Sequence, residues 1–352
     1  MDRYIGIDVH AKSCTLAVVD GAGKRIGQHV IETNGQALVD CLRTIPGERH
    51  VCIEEGTQSA WLFEILGPHV QEMIVANVTE SRGQKSDERD AFGLADKLRV
   101  GSLGHRVFKE VGPYRKLRDL GRVHAMVVRD SVRVQNRIKS FMRSRGVSVE
   151  GRTVYGLEGR KEYLDKLPEG PRSAVTILYA QHDALLEVRK RSEKELVAEG
   201  RLHPSTKIVA TCPGIGPIRA AQLVSIVVTP QRFRTKRQFW SYCGLGIVMR
   251  SSADWIRKPS GAWQRSHIQQ TRGLNLVHNH HLKAIFKGAA TTVLMQHHDD
   301  PLYTDYQRLL AGGTKPNLAK VTLARKIAAI VLAVWKKEKE YAPEQFRKPP
   351  SV

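Results

Sequence analysis

Aromatic residues are scarce in this 352-residue chain, 6% of the total, and acids are outnumbered by bases, 35 against 56. The shortage of acid leaves a formal charge of +21 and a pI near 10.0. That imbalance points to a nucleic-acid partner whose hold weakens steeply with salt. The shortage of aromatics agrees with contacts made mainly to the phosphate backbone. Cysteine is sparse too: Cys14, Cys41, Cys52, Cys212 and Cys243 form no CxxC pair, a spacing that supports neither a zinc site nor a disulfide framework and suggests a reducing, cytoplasmic setting. The sequence does not open on the charged-then-apolar pattern of a signal peptide. No apolar run reaches the ~18 residues of a membrane span, and the longest, "IAAIVLAVW", reads as a buried helix.

What is present is a globular composition, 41% hydrophobic and 26% charged, at a length that suits two or three domains. Residues 1–105 read as a mixed α/β sheet domain: strands at "RYIGIDVH", "SCTLAVVD" and "RIGQHVIET", a helix at "GQALVDCLRTI", a strand at "HVCIEE", a helix around "SAWLFEIL", and a strand at "EMIVAN". Residues 106–203 read as a long helical arm. Leu117, Leu120, His124, Val127, Ser131, Val134, Ile138 and Phe141 step by three and four, the rhythm of a helix that packs on another. A second long helix over 172–198 completes an antiparallel coiled coil, a natural place to dimerise. Arg122, Arg129, Arg133, Arg137 and Arg143 lie off the first seam, as a solvated face or a nucleic-acid contact. Residues 204–336 read as a compact, all-α domain, and 337–352 as a basic, disordered tail.

Carboxylates stand at the ends of the predicted strands. Asp8 ends one, Glu54 and Glu55 end another, and Asp87 and Asp90 sit at i and i+3 on one helix face. Each alone is an ordinary edge or surface charge. Together they can converge on divalent cations, which in phosphodiester chemistry activate an attacking oxygen and stabilise a leaving one. An all-oxygen shell suits Mg²⁺, and the order of the acids is that of a ribonuclease-H-like nuclease fold. Asp96 and Glu88 read as solvent-facing.

In the C-terminal part, "CPGIGPIRAAQLVS" resembles the hairpin of a helix-hairpin-helix element. Gly214 and Gly216 would let the backbone approach a phosphate, with Arg219 nearby, and the next helix offers free N–H groups. An ordinary turn before a helix is the alternative. "RQFWSYCGLGIVMRSSADW" carries the pair Ser251 and Ser252, with no His–Asp spacing to mark a hydrolase triad. Arg250 and Arg257 read as phosphate clamps or as solvated surface. His278, His280 and His281 lack a partner set for zinc and read as polar or phosphate-facing.

"YIGIDVHAK", "VCIEEGTQSAWL" and "QKSDERDAFGLADKLR" resemble the N-terminal half of the insertion-sequence 110 family of transposases. "PGIG", "RQF", "GL" and a following serine resemble its C-terminal half. The resemblance implies a RuvC-like domain with an Asp-Glu-Asp-Asp set, carried here by Asp8, Asp87, Asp90 and either Glu54, which strand register favours, or Glu55. It implies a serine nucleophile on DNA, Ser252 by ungapped counting, with Ser251 adjacent. "ADWIRKPSGAWQRSHIQQTRG" departs from the small and polar residues that follow the serine in the family's other branch. The family further implies a structured bridge RNA pairing with donor and target DNA; because strand exchange needs several active sites, a homodimer assembling to a homotetramer is expected. The rival readings are a metal-dependent junction nuclease using water, and a non-enzymatic nucleic-acid-binding protein.

Overall fold

The computed structural model describes residues 1–77, 86–109, 112–249, 255–265 and 271–346. The chain divides into two compact units, Met1–Pro113 and Tyr114–Val352.

The first unit is a six-stranded sheet with helices on both faces. Its elements are β1 (Asp2–Val9), β2 (Ser13–Asp20), β3 (Arg25–Glu32), α1 (Gly35–Thr44), β4 (Glu48–Glu54), α2 (Ser59–Leu66), β5 (Glu72–Asn77), α3 (Asp87–Arg99) and β6 (His105–Val107). Strand order is β3-β2-β1-β4-β5-β6. β1, β4 and β5 run parallel, while β1/β2, β2/β3 and β5/β6 are antiparallel. This mixed sheet is compatible with a ribonuclease-H-like domain.

Alternation along the strands builds two cores. Ile5, Ile7, Leu16, Val51 and Ile53 bury against Leu38 and Leu42 of α1 and Leu62 and Leu66 of α2. The opposite face is small at its centre, where Gly6 lies opposite Ala17 on β2 and beside Cys52 on β4. α3 covers this face through Ala91, Phe92, Leu94, Ala95 and Leu98. A Cβ on Gly6 would overlap the Ala91 carbonyl oxygen and stand 2.6 Å from the Ala95 nitrogen. Glycine inside a strand therefore marks a close backbone approach. Ser86 caps α3 by accepting from Arg89 N–H at 3.3 Å, and the acids of the first turn complement the helix dipole.

The second unit begins with α4 (Arg115–Arg143), α5 (Leu157–Asp165) and α6 (Glu169–Gly200). His124 Nδ1 lies 3.0 Å from Ser192 Oγ, and Gln135 Nε2 lies 3.1 Å from His182 Nε2, so α4 and α6 run antiparallel. The buried stripe of α4 is Leu117, Gly121, His124, Val127, Ser131, Val134, Ile138 and Met142. Gly121 and Met142 replace the expected Leu120 and Phe141, which are half-buried. Gly121 is chosen because a Cβ there would strike the Ser225 side chain. Alongside the pair, Arg160 of α5 donates to both Asp183 oxygens of α6 and to the Tyr155 carbonyl, over the Tyr179 ring.

The remaining elements are α7 (Pro204–Ala210), α8 (Pro217–Val227), α9 (Lys236–Tyr242), β7 (Ile247–Met249), β8 (Trp255–Arg257), β9 (Trp263–Arg265), β10 (Thr271–Leu274), α10 (His280–Gln296), α11 (Pro301–Ala311) and α12 (Pro316–Lys337). One core gathers Leu117 and Leu196 of the arm with Val224, Phe239, Phe286 and Trp335. The run "IAAIVLAVW" lies inside α12, where Ile327, Ala328, Val331 and Trp335 are buried. Two short antiparallel ribbons, β7/β10 and β8/β9, interrupt the helices. No helix among the described residues is long and apolar enough to cross a membrane.

Two tests follow from this packing. Gly6→Ala should cost about 1–3 kcal/mol by overpacking against α3, read by urea denaturation; an unchanged midpoint would contradict the close approach. Burial lowers the pKa of His124 and His182 from the ordinary 6.5. Above that value both states are neutral; below it the unfolded chain binds protons that the buried rings resist, so stability is lost as pH falls. The melting temperature should drop between about pH 7 and 5, and the double variant His124→Gln/His182→Gln should flatten that slope.

Candidate active site

β1 and β4 end side by side. Their register pairs Gly6 with Cys52 and Ile7 with Ile53, so the next position along aligns Asp8 with Glu54. Side chains two apart on a strand share a face. Asp8 and Glu54 therefore belong to the face that α3 covers through Gly6 and Cys52. The first turn of α3 carries Asp87 and Asp90.

The geometry centres on His10. Its Nε2 lies 3.2 Å from Asp8 Oδ2 and 3.4 Å from Asp87 Oδ1. One ligand atom from each of Asp8, His10 and Asp87 lies within 4.8 Å of the others. Bonds of ~2.1 Å at right angles put neighbouring donors ~3 Å apart, so this set fits one side of a divalent ion's shell. Burial raises the Asp8 pKa; His10 opposes the rise, and the nearby charges of Asp87 and Asp90 add to it. Mutually repelling acids of this kind are relieved by a bound cation. His10 was not singled out by sequence, although its place two residues after Asp8 was a usable signal. Its backbone is fixed by a bond from His10 N–H to the Ser13 carbonyl and by the Thr33 hydroxyl donating to the His10 carbonyl.

Glu55 is differently placed. Lys109 Nζ sits 2.9 Å from its Oε2, the Ser59 hydroxyl donates to it at 3.2 Å, and its N–H donates to the Ala76 carbonyl. Glu54 makes no ion pair among the described residues. Glu88 and Asp96 face Arg25 and Arg99 at the surface. A second group, Asp2, Glu48 and His50, lies at the other end of the sheet, where His50 also meets Glu72.

In the second unit, the hairpin before α8 has internal reasons for its residues. Gly214 has φ +70° and packs so tightly on α10 that a Cβ would strike the Ala289 carbonyl. Arg219 donates to the Gly214 carbonyl at 2.7 Å and to Thr292 Oγ1 at 2.9 Å, and burial lowers its pKa. Gly216 caps α8 with open space beside it. An open groove of about 600 Å³ over this hairpin also contains Asp300, paired with Tyr341.

A second groove, about 440 Å³, is lined by Arg129, Arg219, Gln222, His280 and His281. It joins the arginine face of α4 to α8 and α10. Arg122, Arg133 and Arg137 are exposed on α4, with Arg133 paired to Asp130 at 3.0 Å. His278 has both ring nitrogens buried without a hydrogen-bond partner among the described residues, its ring packed on Gly244. Arg257 is exposed in the β8–β9 ribbon. Arg250, Ser251 and Ser252 lie outside the described residues.

Residues 5–145 match the profile of a transposase domain of the DEDD type found in IS110 elements, and residues 206–307 match that of the transposase IS116/IS110/IS902 family. A protein of Sinorhizobium fredii named "Putative transposase y4pF/y4sB" is 25% identical over 264 residues. That alignment covers 72% of this chain, and the chain spans 62% of the relative's length. The two profiles follow one another in order and between them take in more than half of the sequence. With a DEDD-type domain on the sheet and a second transposase domain on the helices, the chain belongs to the IS110 family of transposases.

Proposed function

We propose that this protein is a DNA recombinase of an insertion sequence, cutting and rejoining donor and target DNA through a phosphoserine intermediate assisted by a divalent metal. The observation that carries the reading is the approach of Asp8 and Asp87 around His10, inside a segment matched to a DEDD transposase domain.

Asp8, Glu54, Asp87 and Asp90 would hold the metal, with Mg²⁺ the natural choice for their oxygens; His10 adds one nitrogen donor. When bound, the ion supplies charge stabilisation for phosphoryl oxygens. Glu54 is preferred over Glu55 because Lys109 already neutralises the latter. Ser252, or its neighbour Ser251, supplies the nucleophile. Its oxygen bonds to phosphorus while the bond from phosphorus to a deoxyribose oxygen breaks; the serine gives up its proton and the freed sugar oxygen takes one. Reversal with a different sugar hydroxyl rejoins the strand, so bond energy is stored without an external source.

The family resemblance brings a structured guide RNA into the proposal, base pairing carrying sequence choice while the protein supplies charge and shape. The arginine face of α4 and the groove of Arg129, His280 and His281 suit backbone contacts to either nucleic acid, with Arg250 and Arg257 as further clamps. Strand exchange requires several active sites, and a homodimer assembling to a homotetramer meets that need.

Ser252→Ala should abolish strand joining and the covalent protein–DNA adduct on denaturing gels, with DNA binding retained; normal joining by this variant and by Ser251→Ala would overturn the serine mechanism. Asp8→Asn should lower the joining rate by at least about a hundredfold with binding retained, and an unchanged rate would overturn the metal role. Cutting without an adduct in Ser252→Ala would favour a nuclease that uses water. Sequencing RNA that co-purifies from the native locus tests guidance: one discrete flanking transcript is expected, and its absence counts against it.

A further inference from the structure

Glu55 and Lys109 have no part in the chemistry above, yet both stand beside it. β4 ends at Glu54, which pairs with Ala76 of β5 at the last position of their register. One step further, Glu55 N–H donates to the Ala76 carbonyl at 2.9 Å. Successive side chains of a strand project to opposite faces. Glu54 belongs to the face of Asp8 and α3. Glu55 therefore turns to the other face, where Ile53 packs with Leu62 and Leu66 of α2.

On that side its carboxylate is held from two directions. Lys109, two residues past β6, places Nζ 3.0 Å from Oε1 and 2.9 Å from Oε2. The hydroxyl of Ser59, the first residue of α2 and only 2% exposed, donates to Oε2 at 3.2 Å. Contact with both oxygens fixes the direction of the carboxylate as well as its place. The Lys109 side chain is itself only 10% exposed. A lysine at the surface keeps its rotamers and gains little from an ion pair, whereas this one gives up side-chain freedom and hydration to sit on Glu55.

We propose that Lys109 is a positioning residue for the divalent-ion site, acting through Glu55. Twisting or fraying at the end of β4 moves Glu54 and Glu55 together, because they share one stretch of backbone. Anchoring Glu55 on one face of the sheet therefore holds Glu54 on the other, in line with Asp8. The anchor draws on two elements outside β4, the chain after β6 and the first turn of α2. With its ammonium on Glu55 and its stem buried, Lys109 is engaged within the protein and not with a DNA phosphate. Groups one step removed from a metal's ligands orient those ligands and set the affinity. This role rests on Glu54 being one of the metal's ligands, as proposed above.

The test is Mn²⁺ titration of the full chain by electron paramagnetic resonance, with thermal melting alongside. Lys109→Met should weaken Mn²⁺ binding roughly tenfold, and Lys109→Arg, which keeps a cation on Glu55, should recover most of the affinity. Glu55→Gln, which keeps the shape and loses the charge, should weaken binding in the same way. The double variant Glu55→Gln/Lys109→Met should be no weaker than the single ones, since both break one link. Unchanged affinity in Lys109→Met and Glu55→Gln, whatever their melting temperatures, would overturn the role. Tighter binding in Lys109→Met, with binding lost in Glu55→Gln and kept in Glu54→Gln, would also overturn it, showing Glu55 as the ligand and Lys109 as the ion's competitor. A parent that binds no Mn²⁺ overturns the metal reading and this role together; a parent that binds while the variants match it overturns this role alone.

Discussion

The seating of α3 on Gly6 is the contact on which the first unit depends. A strand glycine flanked by Ala17 and Cys52 lets the Ala91 and Ala95 backbone come closer than any side chain would permit. The helix is fixed in depth, and with it the first turn that carries Asp87 and Asp90. Asp8 lies two residues beyond Gly6 on the same face of β1. The electrostatic strain of the site, an Asp8 carboxyl whose pKa is raised by burial and by neighbouring acids, is therefore a consequence of packing one helical turn away. Burying Phe92, Leu94 and Leu98 contributes about 1.5–3 kcal/mol each, which offsets the cost of holding like charges together.

The second unit is organised by polarity within its buried surfaces. The seam between α4 and α6 includes His124, Ser131 and His182 as well as aliphatic residues, and the His124–Ser192 and Gln135–His182 pairings across it fix the antiparallel register. The stripe leaves the arginines of α4 on the outer face, where Arg129 meets His280 and His281 in one groove. Three acids of α6 leave that charge unopposed because they pair within their own helix: Glu193 and Glu195 with Arg189 and Arg191, and Glu187 with Lys190.

Much of the sheet was legible because its signals are local. Short apolar runs gave β1, β2 and β4, and the i, i+3 spacing placed Asp87 and Asp90 on one turn. What escaped the sequence depends on contacts across long separations. Glu54 and Glu55 are adjacent, and the β1–β4 register and the distant Lys109 distinguish their settings. His10 gains meaning once α3 brings Asp87 beside it. Leu120 and Phe141 fit a three-four rhythm as well as Gly121 and Met142 do; the tight fit of Gly121 against Ser225 sets the phase. Arg219 suggested a phosphate contact, whereas its guanidinium binds the Gly214 carbonyl and Thr292.

The central claim is that strand β1 and helix α3 together make a divalent-ion site. It is tested most directly by measuring Mn²⁺ binding to the full chain by electron paramagnetic resonance, with Mg²⁺ as competitor. The account predicts that Mn²⁺ is bound by the parent protein and displaced by Mg²⁺, and that Asp8→Asn and Asp87→Asn each remove the bound signal while the fold persists. Mn²⁺ binding of the same strength in both variants would contradict it.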